Sequence, residues 1–93
     1  MKLRITSRAF RDIDNILSYI QHRNPTAATA IAARIDRTLN LIREMPLIRR
    51  KSTRRGLRER PVPRTPILII YAVSHDRIEI VSVFHTFRDP RGK

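Results

Sequence analysis

The chain has 93 residues, with 20 Lys or Arg against 8 Asp or Glu, so its formal net charge is +12. This length suits one domain, residues 1–93, and the 41% hydrophobic share excludes disorder throughout. The charge favours a polyanion or an acidic protein as partner. The lack of cysteine excludes disulfides and thiolate chemistry. Neither a signal peptide nor an apolar run of about 20 residues is evident, which predicts a cytoplasmic protein.

The chain opens with a short strand followed by a helix. Lys2–Thr6 alternates apolar and basic side chains, as a strand with one buried face does. Apolar residues then recur at helical spacing over about residues 8–21. Thr6 or Ser7 can cap this helix with its hydroxyl, and Asp12 is favoured near the positive N-terminal end.

A second amphipathic helix follows almost at once. Asn24 is its predicted N-cap, and Pro25 occupies the first helical position, where its missing N–H costs nothing. The apolar face continues to Met45 and Pro46. The two helices therefore form a hairpin whose apolar side needs something to pack on.

The next segment is densely basic, with seven Lys or Arg between residues 47 and 60. The prolines at 61 and 63 cannot donate to a sheet ladder, so Leu57–Val62 is predicted as an edge strand. Two strands rich in β-branched residues come after it, Ile67–Ser74 and Arg77–Phe84, joined by a short polar hairpin turn. The predicted fold is α+β: an N-terminal strand, a two-helix hairpin covering one face, and a mostly antiparallel sheet of three further strands.

Metal and cofactor sites have little support in the sequence. The histidines at 22, 75 and 85 lack metal-ligand spacing, and only two glycines are present, too few for a phosphate-binding loop. We therefore expect no metal and no cofactor.

A nuclease that works without metal is a more serious alternative. Cleaving RNA through its own 2′-OH needs a base, an acid and cations for the developing negative charge. Glu59 and His85 could act as base and acid if they converge with an arginine among Arg54, Arg58 and Arg88. The competing interpretation, which we favour from the residues alone, is that Glu59 pairs with neighbouring arginines and His85 packs at a strand end.

The order of these elements, with several residues within them, resembles the RelE/ParE toxin superfamily, most closely its ParE branch. The resemblance covers nearly the whole chain. The residues that carry it are Asp12, Ile16, Tyr19-Ile20, Asn24-Pro25, Ala27-Ala28, Leu41, Pro46, Gly56-Leu57-Arg58-Glu59, Tyr71-Ala72-Val73, Ile78–Val83, His85 and Arg88-Asp89-Pro90.

The resemblance implies a toxin of a type II toxin–antitoxin system, neutralised by a ParD-like ribbon-helix-helix antitoxin with an acidic, amphipathic C-terminal segment. ParE-type toxins act on DNA gyrase, whereas RelE-type toxins cut mRNA in the ribosome. The ending of this chain favours the first branch, because Thr86-Phe87 stands where ribosome-dependent relatives have a tyrosine-containing pair. Phe87 has no hydroxyl with which to exchange a proton.

The resemblance therefore implies a toxin that binds its target without catalysis. The residues expected to bind target or antitoxin are Arg54, Arg58, Glu59, Arg60, Tyr71, His85, Arg88 and Asp89. In the ribonuclease alternative, with the ribosome as target, Glu59, His85 and Arg88 become the catalytic candidates. A basic module that binds nucleic acid or another protein is the third possibility.

Overall fold

The computed structural model describes residues 2–47 and 56–87. The elements are β1 (Lys2–Ile5), α1 (Ser7–Arg23), α2 (Pro25–Glu44), β2 (Arg58–Pro61), β3 (Ile67–Val73) and β4 (Arg77–His85). This order confirms the predicted α+β fold, and α1 extends the predicted helix at both ends.

Both predicted helix caps are present. The Thr6 hydroxyl oxygen accepts from the Ala9 amide at 3.2 Å, and the Asn24 side-chain oxygen accepts from the Ala27 amide at 3.1 Å. Thr6 also donates its hydroxyl to the Ile80 carbonyl at 2.8 Å. One side chain therefore starts α1 and fastens that start to β4.

The four strands form one sheet in the order β1-β4-β3-β2, with β1 parallel to β4 and the other two pairs antiparallel. The proline in the edge strand β2 fits this arrangement. The Val62 amide donates to the Ile67 carbonyl at 2.9 Å, and hydrogen-bonded pairs recur at every second residue. Pro61 therefore lies at a position that faces away from β3, where no N–H is needed for the ladder.

A β-bulge interrupts the central β3–β4 pair. The register changes from Ile70 opposite Ser82 to Tyr71 opposite Ile80, which leaves Val81 as the extra residue. The Asp12 carboxylate on α1 accepts a hydrogen bond from the amide of Val83, next to the bulge, at 3.0 Å. The expectation that Asp12 serves the helix terminus is wrong, since the first turn of α1 contains no acidic residue.

The core lies between the helices and one face of the sheet. Side chains of β3 alternate, so Ile67, Ile69 and Tyr71 point toward α1 and α2, where they pack in one cluster with Ile16 and Ile42. On the opposite face of the sheet, Ile70 and Phe84 are buried as well, at 3% and 1% exposure. The Ile67–Ile70 run is therefore buried on both faces of the sheet, although Leu68 is only half-buried.

Candidate functional site

The predicted binding residues divide into two groups. Arg54, Arg88 and Asp89 lie outside the described residues. The other five, Arg58, Glu59, Arg60, Tyr71 and His85, lie on β2, β3 and β4. Their positions in the sheet decide which of them can act together.

Arg58 and Arg60 lie on the helix-facing side of the edge strand. They pair with Tyr71 and Ile69, both of which belong to the core cluster. Arg58 is half-buried, whereas Arg60 is only 7% exposed. In the described part of the chain, the Arg60 Nη1 nitrogen is buried without a hydrogen-bond partner. Of these two arginines, only Arg58 therefore presents substantial surface to a partner.

Tyr71 is fully buried, at 0% exposure. Its hydroxyl donates to the Pro46 carbonyl at 2.8 Å, just beyond the end of α2. The contact links the middle of the sheet to the end of the helical hairpin. This geometry gives Tyr71 a structural role.

Glu59 and His85 lie on opposite faces of the sheet. Glu59 pairs with Ile70, and His85 pairs with Ile67. Residues 67 and 70 are separated by an odd number of positions in a regular stretch of β3, so their side chains and those of their partners point to opposite sides. An acid and a base for RNA cleavage must reach the same phosphate, and these two do not converge.

Arg58 and His85 are also far apart along the sheet. Their partners on β3, Tyr71 and Ile67, are four residues apart, which corresponds to about 13 Å at strand rise. The His85 ring instead meets Phe87 edge to face, with 6.1 Å between centroids. Phe87 itself is 86% exposed. The expectation that His85 packs at a strand end agrees with this contact.

A separate feature lies on the helical side of the molecule. We call it the interhelical groove, an apolar cavity of about 310 Å³. It is lined by Ile5, Phe10, Ile13, Asp14, Leu17, Ala32, Ile35, Asp36 and Leu39. Phe10 is 67% exposed, which is unusual for so large an apolar side chain. The sequence carried a hint of this surface, because Phe10 lies beside the apolar stripe of α1 rather than within it.

No group of three or more His, Cys, Asp or Glu within residues 2–47 and 56–87 could hold a metal ion. Among the helices described, none combines the length and the hydropathy that crossing a bilayer requires.

Comparison with known proteins shows the family to which the chain belongs. Residues 3–90 match the family model described as ParE toxin of type II toxin-antitoxin system, parDE. The chain is 34% identical over 84 residues to the protein named "Putative toxin Y4kP" of Sinorhizobium fredii, covering 90% of this chain and 86% of that one. This chain belongs to the ParE toxin family.

A solved structure shows the same fold. The chain described as "Chromosomal ParDE TA system from P. aeruginosa" superposes with a TM-score of 0.81 at 22% identity, over 89% of this chain and 92% of that one. The ParE-branch resemblance is therefore confirmed, and the protein is a ParE-type toxin of a type II toxin–antitoxin system. As a member of such a system, this ParE-type toxin has an antitoxin partner.

Proposed function

We propose that this ParE-type toxin arrests growth by binding DNA gyrase in the cytoplasm and that it does not cleave RNA. Gyrase as the target is proposed from the membership of the ParE toxin family. The placement of Glu59 and His85 on opposite faces of the sheet supports the absence of RNA cleavage. The ribonuclease alternative needs both groups at one phosphate. Phe87 also argues against the ribonuclease alternative, because it has no hydroxyl with which to exchange a proton.

A pair of assays on antitoxin-free toxin tests this proposal. One follows supercoiling by gyrase and the accumulation of cleaved DNA, and the other follows mRNA cutting on programmed ribosomes. We expect inhibition of gyrase with intact mRNA. Ribosome-dependent cutting that disappears in Glu59→Gln and His85→Ala would contradict the proposal and restore both residues as catalytic candidates.

We further propose that the antitoxin is ParD-like and that its amphipathic C-terminal segment covers the interhelical groove. The groove is apolar, and the exposed ring of Phe10 gives a partner helix a large surface to bury. Asp14 and Asp36 line the same groove. The acidic residues expected of such a segment should therefore contact basic surface outside the groove, while apolar side chains enter it.

Replacement of Phe10 tests the docking of the antitoxin. Burying a phenylalanine contributes about 1.5–3 kcal/mol, so Phe10→Ser should weaken binding of the purified cognate antitoxin on the order of tenfold to a hundredfold. Met45→Ser is the matched control, because Met45 is also exposed and lies outside the groove lining. Equal affinities of the two variants in calorimetry would exclude the groove as the docking surface.

A further inference from the structure

Three arginines line a second, smaller cleft on the other side of α2. We call it the arginine cleft, and its lining is Arg34, Arg37, Thr38, Leu41, Pro63 and Arg64. The residues from α2 follow helical spacing and therefore share one face of the helix. Asp36, which lines the interhelical groove, projects from the opposite face. Among residues 2–47 and 56–87, no acidic side chain lines the arginine cleft.

The turn between β2 and β3 holds Arg64 in place. The Thr65 amide donates to the Val62 carbonyl at 3.2 Å, and the Thr65 hydroxyl donates to the same carbonyl at 2.9 Å. Pro63 and Arg64 are the two central residues, and Arg64 has a φ of 59°, as expected at the third position of a type II turn. A left-handed arginine is uncommon, so the turn fixes the backbone of Arg64 in a conformation that few residues other than glycine adopt.

The wall contributed by α2 is equally fixed. Thr38 is 2% exposed, and its hydroxyl donates to the Arg34 carbonyl at 2.8 Å. Arg34 is half-buried, while Arg37 and Arg64 are exposed. Three arginines therefore line the cleft, and no acidic residue is among its lining in the described part of the chain.

The size and charge of the cleft define the ligand. Its volume is about 40 Å³, which is room for roughly three water molecules and hence for one oxyanion group. A carboxylate offers two oxygens in one plane, which one or two guanidinium groups satisfy. A phosphate offers acceptor oxygens in more directions, so arginines arriving from a helix and from a turn suit it better.

From this geometry we propose that the arginine cleft binds a backbone phosphate of nucleic acid, so that the toxin itself contacts DNA. This contact does not require gyrase to be the target. The arginines of the cleft also lie outside the basic segment of residues 47–60 in the sequence. The +12 net charge supplies attraction over the whole surface, and the cleft fixes where one phosphate sits.

The test compares two triple variants with the same charge. The cleft variant is Arg34→Gln, Arg37→Gln and Arg64→Asn, since asparagine tolerates the left-handed conformation. The control replaces three exposed arginines outside the cleft lining, Arg8, Arg11 and Arg77, with glutamine. Both variants lower the formal charge from +12 to +9, because each removes three positive charges.

Binding of the antitoxin-free proteins to a labelled 20-base-pair DNA duplex is followed by fluorescence anisotropy from about 50 to 300 mM KCl. We expect the cleft variant to bind on the order of tenfold more weakly, with a salt slope shallower by about 1, which corresponds to one lost phosphate contact. The control variant should lose less affinity for the duplex, and the salt dependence of its binding should stay closer to that of the wild-type protein. Circular dichroism and thermal melting verify folding, and the double variant of the exposed Arg37 and Arg64 replaces the triple if it does not fold.

Three outcomes would overturn the proposal. The first is equal loss in the cleft and control variants, which would assign DNA binding to net charge alone. The second is no measurable binding of the duplex by the wild-type protein. The third is polyglutamate binding that depends on the cleft arginines while DNA binding does not, which would make the cleft a site for an acidic protein segment.

Discussion

The buried Arg60 gives the sharpest test of the packing described above. Its side chain is 7% exposed on the helix-facing side of β2, and in the part of the chain described here its Nη1 nitrogen has no hydrogen-bond partner. A buried polar group left unsatisfied costs about 1–3 kcal/mol, and a charged group costs more. Methionine preserves an unbranched apolar stem and removes the charge. We expect Arg60→Met to raise the free energy of unfolding by about 2 kcal/mol.

The expected shift is large enough to measure in two ways. For a domain of this size, about 2 kcal/mol corresponds to a rise in Tm of roughly 8–16 °C. In urea, the midpoint should rise while the m-value stays unchanged, since the same surface is exposed on unfolding. Arg60→Ala should raise the free energy of unfolding by less, because it also leaves a cavity where the aliphatic part of the arginine side chain packed.

Arg58→Met is the matched control for the Arg60 experiment. Arg58 lies on the same face of the same strand but is half-buried, so the same loss of charge there should bring no comparable gain. A loss of about 1 kcal/mol or more in Arg60→Met would refute the reasoning, because it would show that the guanidinium is satisfied in the folded protein. We also expect Arg60→Met to keep its toxicity, since so small an exposed fraction offers little to a partner.

Three further substitutions test individual hydrogen bonds by urea unfolding. Thr6→Ala should cost about 2 kcal/mol, because it removes both a helix cap and a bond to β4, while Thr6→Ser should cost much less. Asp12→Ala should cost about 1–3 kcal/mol by leaving the Val83 amide unsatisfied, and Asp12→Asn, which keeps an acceptor oxygen, should recover most of that loss. Tyr71→Phe should lower the free energy of unfolding by about 1 kcal/mol, because the hydrogen bond to Pro46 is lost, and should leave gyrase inhibition unchanged. Loss of inhibition at unchanged stability would instead make Tyr71 a binding residue.

The sequence determined the local structure of this protein. Helix caps depend on a side chain and an amide three residues away, so Asn24 could be assigned, and the first cap narrowed to Thr6 or Ser7, before any packing was known. The two long strands followed from their runs of β-branched residues, and Pro61 marked the edge. These signals also carried the family resemblance, because they occur in a particular order along the chain.

The tertiary structure decided which residues share a face. Glu59 and His85 are 26 positions apart in the chain, and no local pattern specifies their relative orientation. The register of β2 and β4 against β3 sets it, through contacts that form only when distant segments pair. Because side chains alternate along a strand, a shift of one position moves a residue to the other side of the sheet.

The same reason explains the features that the sequence did not reveal. The bulge at Val81 changes the facing of every residue after it in β4, so alternation read from the sequence alone fails there. Arg60 resembles its exposed basic neighbours in composition, yet its pairing with Ile69 turns it toward the core. The arginine cleft combines one face of α2 with a turn more than twenty residues later. Residue types and local spacing fix elements, whereas burial and the convergence of side chains depend on how those elements pack.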